Sequence, residues 1–154
     1  AFCILANGGR AVTPHIVAAV VDESGQIVKL PAHQNTSGHI ISPEVANWVV
    51  RKALAAVVSE GTGKQAALKN YQVFGKTGTA EIAMKQQGGY TSDNIASFVG
   101  GAPADDPAVV VLVSVRKPDK SLMKGSTGGA VAAPVVKEIL EDTLRYLNHP
   151  QDQD

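Results

Sequence analysis

Phe74-Gly75-Lys76-Thr77-Gly78-Thr79-Ala80 is the stretch on which the reading of this chain turns. It lies inside Tyr71 to Ala83, a run that reads as a strand. A strand chosen to fill a core would place apolar side chains at these positions. This one places a lone lysine, two threonine hydroxyls and two glycines there. Gly75-Lys76-Thr77 also spells the end of a phosphate-binding loop, G-x-x-x-x-G-K-[ST]. That motif needs a glycine where the chain has Asn70, and a helix directly after the lysine whose N–H groups cradle phosphate. Gly61-Thr62-Gly63-Lys64 is followed by Gln65 and lacks the first glycine as well. Nucleotide binding is therefore set aside.

Downstream of the motif, Gln86 to Asn94 reads as a polar, mobile connection, and Ile95 to Ala102 as a second strand. Pro103-Ala104-Asp105-Asp106-Pro107 carries turn chemistry. Ala108 to Val115 is almost continuously apolar and β-branched, which predicts a strand covered on both faces. So short a turn between two strands implies antiparallel pairing. Arg116 to Lys120 reads as a solvated exit. A last helix is expected from about Val131 to Leu147, with Val135, Val136, Ile139, Leu140, Leu144 and Leu147 on one side and Pro134 in its first turn. The tail 148–154 is expected to fray.

Upstream, Ser42-Pro43-Glu44 announces a helix: serine as N-cap, proline at the first position, an acid in the first turn. Val45, Trp48, Val49, Ala53, Ala56 and Val57 recur at helical spacing as its apolar stripe, with Trp48 expected to anchor the core. The helix should end near Gly61-Thr62-Gly63. Before it, Ile16–Val21 and Ile27–Leu30 flank Asp22-Glu23-Ser24-Gly25 as a hairpin, and 31–38 reads as a polar loop. Ala1 to Ala6 reads as the end of a helix closed by Asn7-Gly8-Gly9, so the chain is expected to be part of something longer. The sum is an α+β pattern, helices against an antiparallel sheet.

Composition excludes other classes. With 154 residues, 44% hydrophobic and 18% charged, the chain fits one globular domain. A formal net charge of zero gives no electrostatic footprint for nucleic acid. The single cysteine, Cys3, excludes an internal disulfide and, in an apolar run, is expected to be buried. His15, His33, His39 and His149 have no ligand spacing, so neither a metal nor another cofactor is expected.

Lys-Thr-Gly is one mark of penicillin-binding proteins and serine β-lactamases, and its surroundings extend the match. Six stretches stand in the order and approximate spacing of one group: Ala6-Asn7-Gly8-Gly9, Ile41-Ser42-Pro43-Glu44, Glu60-Gly61-Thr62-Gly63, the Phe74–Ala80 stretch, Ile95 to Gly100 with Ala102 to Pro107, and Ala132-Ala133-Pro134-Val135. The sequence resembles the C-terminal part of the transpeptidase domain of a class B penicillin-binding protein, over residues 1–154. The resemblance implies the penicillin-binding-protein/serine β-lactamase-like fold and a serine acyl-transfer chemistry that cross-links peptidoglycan stem peptides ending in D-Ala-D-Ala and is trapped by β-lactams. It implies a catalytic Lys76, substrate contacts from the hydroxyls of Thr77 and Thr79, and an oxyanion-hole donor in the Thr79 N–H. Gly78 would let the substrate approach closely. It also implies a place on the outer face of a bacterial cell membrane, with the parent anchored by an N-terminal segment. The rest of the transpeptidase domain and other cell-wall synthesis proteins would be its partners.

The family's other two motifs, S-x-x-K and Ser-x-Asn, have only stray matches here. Ser92-Asp93-Asn94, Ser114-Val115-Arg116-Lys117 and Ser121-Leu122-Met123-Lys124 all follow the Lys-Thr-Gly strand, whereas the family's order puts them before it. A serine and a lysine three apart share a face on a helix but not on a strand. The nucleophile is thus expected to lie outside this chain, which alone should be inactive. Two other readings stay open: a non-catalytic peptide- or β-lactam-binding module of this fold, and a fragment of a serine β-lactamase or penicillin sensor.

Overall fold

The computed structural model describes residues 1–17, 19–28, 38–84, 88–119, 121 and 125–152. Its centre is a three-stranded antiparallel meander, β3 (Phe74–Ala83), β4 (Tyr90–Ala102) and β5 (Val109–Arg116), in that spatial order. The register pairs Thr77 with Phe98, Thr79 with Ala96, and Phe98 in turn with Val113. The family-type α+β pattern is what forms. A second, two-stranded hairpin, β1 (Val20–Val21) and β2 (Ile27–Val28), stands apart from this sheet. Its turn is built by Asp22, whose Oδ1 accepts from Ser24 N (2.9 Å), Ser24 Oγ (2.6 Å) and Gln26 N (2.9 Å). The hydrogen bond from Ser24 leads in holding the Asp22 carboxyl below the usual aspartate range.

Helices cover both faces of the sheet at the Phe74 end. On one face α4 (Gly128–Tyr146) packs Ala132, Ala133, Val136, Leu140 and Leu144 against Phe98, Ala102, Val58 and Val73. On the other, α1 (Phe2–Ala6) and the long upstream helix bring Phe2, Leu5, Val50 and Leu54 onto Phe74, Val110 and Ala104. The upstream helix is α2 (Pro43–Trp48), a π-wound segment (Val49–Leu54) and α3 (Ala55–Ser59) in succession. Ser42 caps it as expected, its Oγ accepting from Val45 N.

Several expectations need correction. The buried face of the upstream helix is Ala46, Val50, Ala55 and Val58 with Leu54 half-buried, one residue off the expected stripe. Steps of four, from Ala46 through Val50 and Leu54 to Val58, drift by about 40° each in a regular α-helix. The wider π-wound turn takes up that drift and keeps the four on one side. Val45 and Trp48 then face outward, and Trp48 is 62% exposed rather than a core anchor. Cys3 is exposed too, because α1 turns Phe2, Leu5 and Ala6 to the core. In β5, Leu112 is 67% exposed and Ser114 exposed, while Val111, Val113 and Val115 are half-buried, so the strand is not covered on both faces within this chain.

Helix α4 starts earlier than predicted, at Gly128 behind its cap Thr127, and Pro134 therefore lies inside it. Its outer positions Val135, Ile139 and Leu147 are exposed, and Val131, Ala132 and Ala133 are buried in their place. Tyr90 to Asn94 belong to β4 rather than to a loop; residues 86 and 87 lie outside the described residues, as do most of the expected loop 31–38 and hairpin positions 18, 29 and 30. The tail is tied down over its described part. Tyr71 Oη donates to the His149 carbonyl (2.8 Å), Gln72 N to Asp152 Oδ2 (2.6 Å) and Asp152 N to the Asn70 carbonyl (3.1 Å).

Candidate active site

β3 is an edge: among the described residues only β4 pairs with it. Alternation sends Lys76 and Thr77 to opposite faces. Lys76 is exposed, and its Nζ donates to the carbonyl of Thr77 at 2.9 Å. It takes part in none of the ion pairs among the described residues. Thr77 and Thr79 point to the α4 side. The Thr77 hydroxyl pairs with the Thr62 hydroxyl at 2.8 Å, and Thr79 Oγ1 accepts from the Gly128 N–H at 3.4 Å. A threonine hydroxyl has one donor and two acceptor sites, so each keeps bonding capacity for a ligand.

Close approach explains the glycines here. A Cβ on Gly128 would lie 2.0 Å from the Ser97 carbonyl oxygen, and one on Gly129 2.3 Å from that of Thr62. Only bare backbone lets α4 bring its N-terminal end, with the positive pole of the helix dipole, onto β3 and the turn after α3. Behind Gly78, a Cβ would meet Ser97 Oγ at 2.6 Å. The side chains expected to form the site, Lys76, Thr77 and Thr79, thus stand together on one exposed strand edge beside Gly78. Thr62 and the Gly128-Gly129 start of α4 join them. Sequence reasoning singled out Glu60-Gly61-Thr62-Gly63 without joining it to Thr77, since no local signal spans that separation.

The stray motifs start on separate elements, and residues 122–124 of the last lie outside the described residues. Ser114 is exposed on β5, and Ser121 sits in a turn with its Oγ donating to Asp119 (2.6 Å). Asn94 is buried in β4, donating to the Ser126 carbonyl. A cleft of about 400 Å³ lies at the other end of α4, lined by Tyr71, Glu141, Arg145 and His149. It holds none of the site residues. Among the described residues no cluster of three or more His, Cys, Asp or Glu could hold a metal ion, and no helix is long and apolar enough to cross a membrane.

The model of the family described as penicillin binding protein transpeptidase domain matches residues 1–141. The chain belongs to the penicillin-binding protein transpeptidase family. This chain is 40% identical over 142 residues to stage V sporulation protein D of Bacillus subtilis, covering 92% of the chain and 21% of that protein. It is 34% identical over 158 residues to penicillin-binding protein PbpB of Mycolicibacterium smegmatis, covering 97% and 24%. Its fold matches penicillin-binding protein 3 from Mycobacterium tuberculosis, solved in complex with aztreonam, with a TM-score of 0.82 and 30% identity over 99% of this chain and 35% of that one. The chain therefore spans about a fifth to a quarter of the length of these curated relatives. The family expected from the six stretches is the family found.

Proposed function

We propose that this chain is the C-terminal part of a peptidoglycan D,D-transpeptidase domain and forms one wall of its acyl-transfer site. The observation that carries this reading is the β3 edge. An exposed lysine, two held hydroxyls and a glycine stand along a strand whose outer edge has no partner among the described residues, in a chain of the transpeptidase family. A peptide stem laid along that edge is bound as an added strand. In the reaction, a serine from outside these residues attacks the carbonyl of the D-Ala-D-Ala amide. The C–O ester forms, the C–N bond breaks, and D-alanine leaves with the proton. An amine of a second stem then displaces the serine oxygen.

Each wall residue has a separate part. Lys76 places positive charge beside the reacting groups, supporting proton transfer and drawing in the terminal carboxylate. Thr77 and Thr79 offer that carboxylate hydroxyl donors. In an antiparallel strand, backbone groups of alternate residues point to the same edge, so the Thr79 N–H lies on the side of the Thr77 carbonyl that Lys76 reaches. It would supply one donor to the developing oxyanion. Gly78 leaves room between them. β-Lactams would enter as substrate mimics. The rest of the domain would bring the nucleophile, and the parent would work on the outer face of a bacterial membrane beside other cell-wall synthesis proteins.

The test is covalent labelling by a fluorescent penicillin. The intact parent should label, and Lys76→Gln in the parent should slow labelling about a hundredfold or more. The isolated 154 residues should not label. Labelling of the isolated chain that disappears on mutating Ser114 or Ser121 would refute the assignment of the nucleophile elsewhere.

A further inference from the structure

Thr62 lies fourteen positions before Lys76 in the sequence, inside the Glu60–Gly63 stretch to which no chemical role was attached, yet its side chain reaches the wall. Its Oγ1 is 2.8 Å from Thr77 Oγ1, and either oxygen could be the donor. The backbone beneath it is fixed from three directions. From α3, the Ala56 carbonyl accepts from Glu60 N (2.9 Å) and Gly61 N (3.0 Å), and the Val57 carbonyl accepts from Gly63 N (2.8 Å). From the sheet, the Phe98 ring would lie 2.9 Å from any Cβ on Gly63. From α4, Gly129 closes on the Thr62 carbonyl. An exposed hydroxyl on so constrained a turn has a set place, and that place is against Thr77.

The chemistry of a hydroxyl pair makes this consequential. Thr77 has one proton. If it donates to Thr62, it can only accept elsewhere and repels an anion. If Thr62 donates to Thr77, the Thr77 proton is free for a ligand, and the two bonds polarise one another in the same sense. Thr79, whose Oγ1 already accepts from Gly128 N–H, is oriented the same way, acceptor behind and proton free.

We propose that Thr62 is a positioning residue: its hydroxyl donates to Thr77 and so turns the Thr77 proton toward the carboxylate of an incoming stem peptide or β-lactam. The inference rests on the carboxylate-binding role proposed above for the β3 hydroxyls. It predicts selectivity for the ligand's charge rather than a general loss of activity.

The experiment uses the intact parent enzyme, with a penicillin and its methyl ester, which lacks the anionic carboxylate. In Thr62→Val, acylation by the free acid should fall roughly tenfold, the scale of one charge-assisted hydrogen bond. The fall should lie in the binding constant rather than in the limiting rate. Acylation by the ester should change less than about twofold, and Thr62→Ser should restore the acid to within about threefold. In a Thr77→Val background, Thr62→Val should add nothing, because its effect runs through Thr77. Equal losses for acid and ester would overturn the proposal, as would an additive double variant, which would place Thr62 on the ligand directly. A wild-type parent that penicillin does not acylate at all would instead remove the underlying reading of the site. Thermal unfolding within about 2 °C of wild type confirms that Thr62→Val reports on the hydroxyl, and the serine variant carries the test alone if it does not.

Discussion

Replacing Phe98 with alanine should be among the most damaging single changes in this chain. The ring is fully buried on the α4 face of β4 and belongs to the larger core cluster. Three glycines on three elements are cut back to make room for it. A Cβ would fall 2.5 Å from its Cζ at Gly75, 2.7 Å from its Cε1 at Gly100 and 2.9 Å from its Cε2 at Gly63. A core normally softens a large-to-small change by letting neighbouring side chains lean in. Here much of the wall is glycine and has none to lean. The cost should sit toward the upper end for such changes, about 4–5 kcal/mol, a large share of the roughly 5–15 kcal/mol that holds a domain together. Phe98→Leu should lose about half as much. Urea unfolding of the intact parent domain, followed by circular dichroism, measures both. A second arm tests the packing itself. Gly100→Ala clashes mainly with the ring, so its penalty should shrink when combined with Phe98→Ala, and the double variant should cost less than the sum. A loss under about 1.5 kcal/mol for Phe98→Ala, or strict additivity with Gly100→Ala, would refute the account.

Four further outcomes follow from other parts of the structure. Gly128→Ala places a methyl 2.0 Å from the Ser97 carbonyl and 2.7 Å from that of Gly78, both backbone, and should cost about 2–3 kcal/mol in thermal unfolding while also slowing penicillin acylation of the parent. Lys76→Gln, at an exposed position, should leave stability within about 0.5 kcal/mol, so its loss of acylation would be chemical rather than structural. Ser42→Ala removes the side-chain cap of α2 and should cost about 1 kcal/mol in the same unfolding assay. Asp22 has its carboxyl held low by Ser24 and Gln26. Its contribution to the β1–β2 turn should be present above the ordinary aspartate range and be lost as pH falls through the lowered value, seen as amide shifts at Ser24 and Gln26 that titrate below the usual aspartate midpoint.

What could be read from the sequence was what local chemistry dictates. Asn7-Gly8-Gly9 closes a helix because glycine accepts the positive φ that Gly8 (61°) and Gly9 (87°) adopt. Ser42 caps because its side chain competes well for Val45 N–H. The turn at Pro103 to Pro107 fixed the antiparallel pairing of β4 and β5, and the Lys-Thr-Gly motif pointed to the wall. The missed features depend on partners distant in the chain. The stripe on the upstream helix slipped by one residue because a regular 3.6-residue period was assumed through a segment wound more widely. Trp48 and Leu112 were assigned to the interior on hydrophobicity alone, and burial is a property of what lies opposite. The tail is expected to fray as a chain end, while Asp152 accepts a hydrogen bond from the backbone N–H of Gln72, a partner no window of sequence contains. The Thr62–Thr77 pair is of the same kind: two ordinary threonines, one on the turn after α3 and one on β3, meeting only once those elements are packed.

The π-wound segment Val49–Leu54 bears on how this chain tolerates insertions and deletions. Such a segment is in effect an α-helix holding one residue more than its turns require. Removing any one residue between Val49 and Leu54 would restore ordinary winding and cost little as local helix. It would also swing everything after it by about 100° and draw it back about 1.5 Å. α3 follows directly, and the turn that carries Thr62 follows α3. A deletion that looks harmless as helix would therefore be read out at the strand edge as a misplaced hydroxyl.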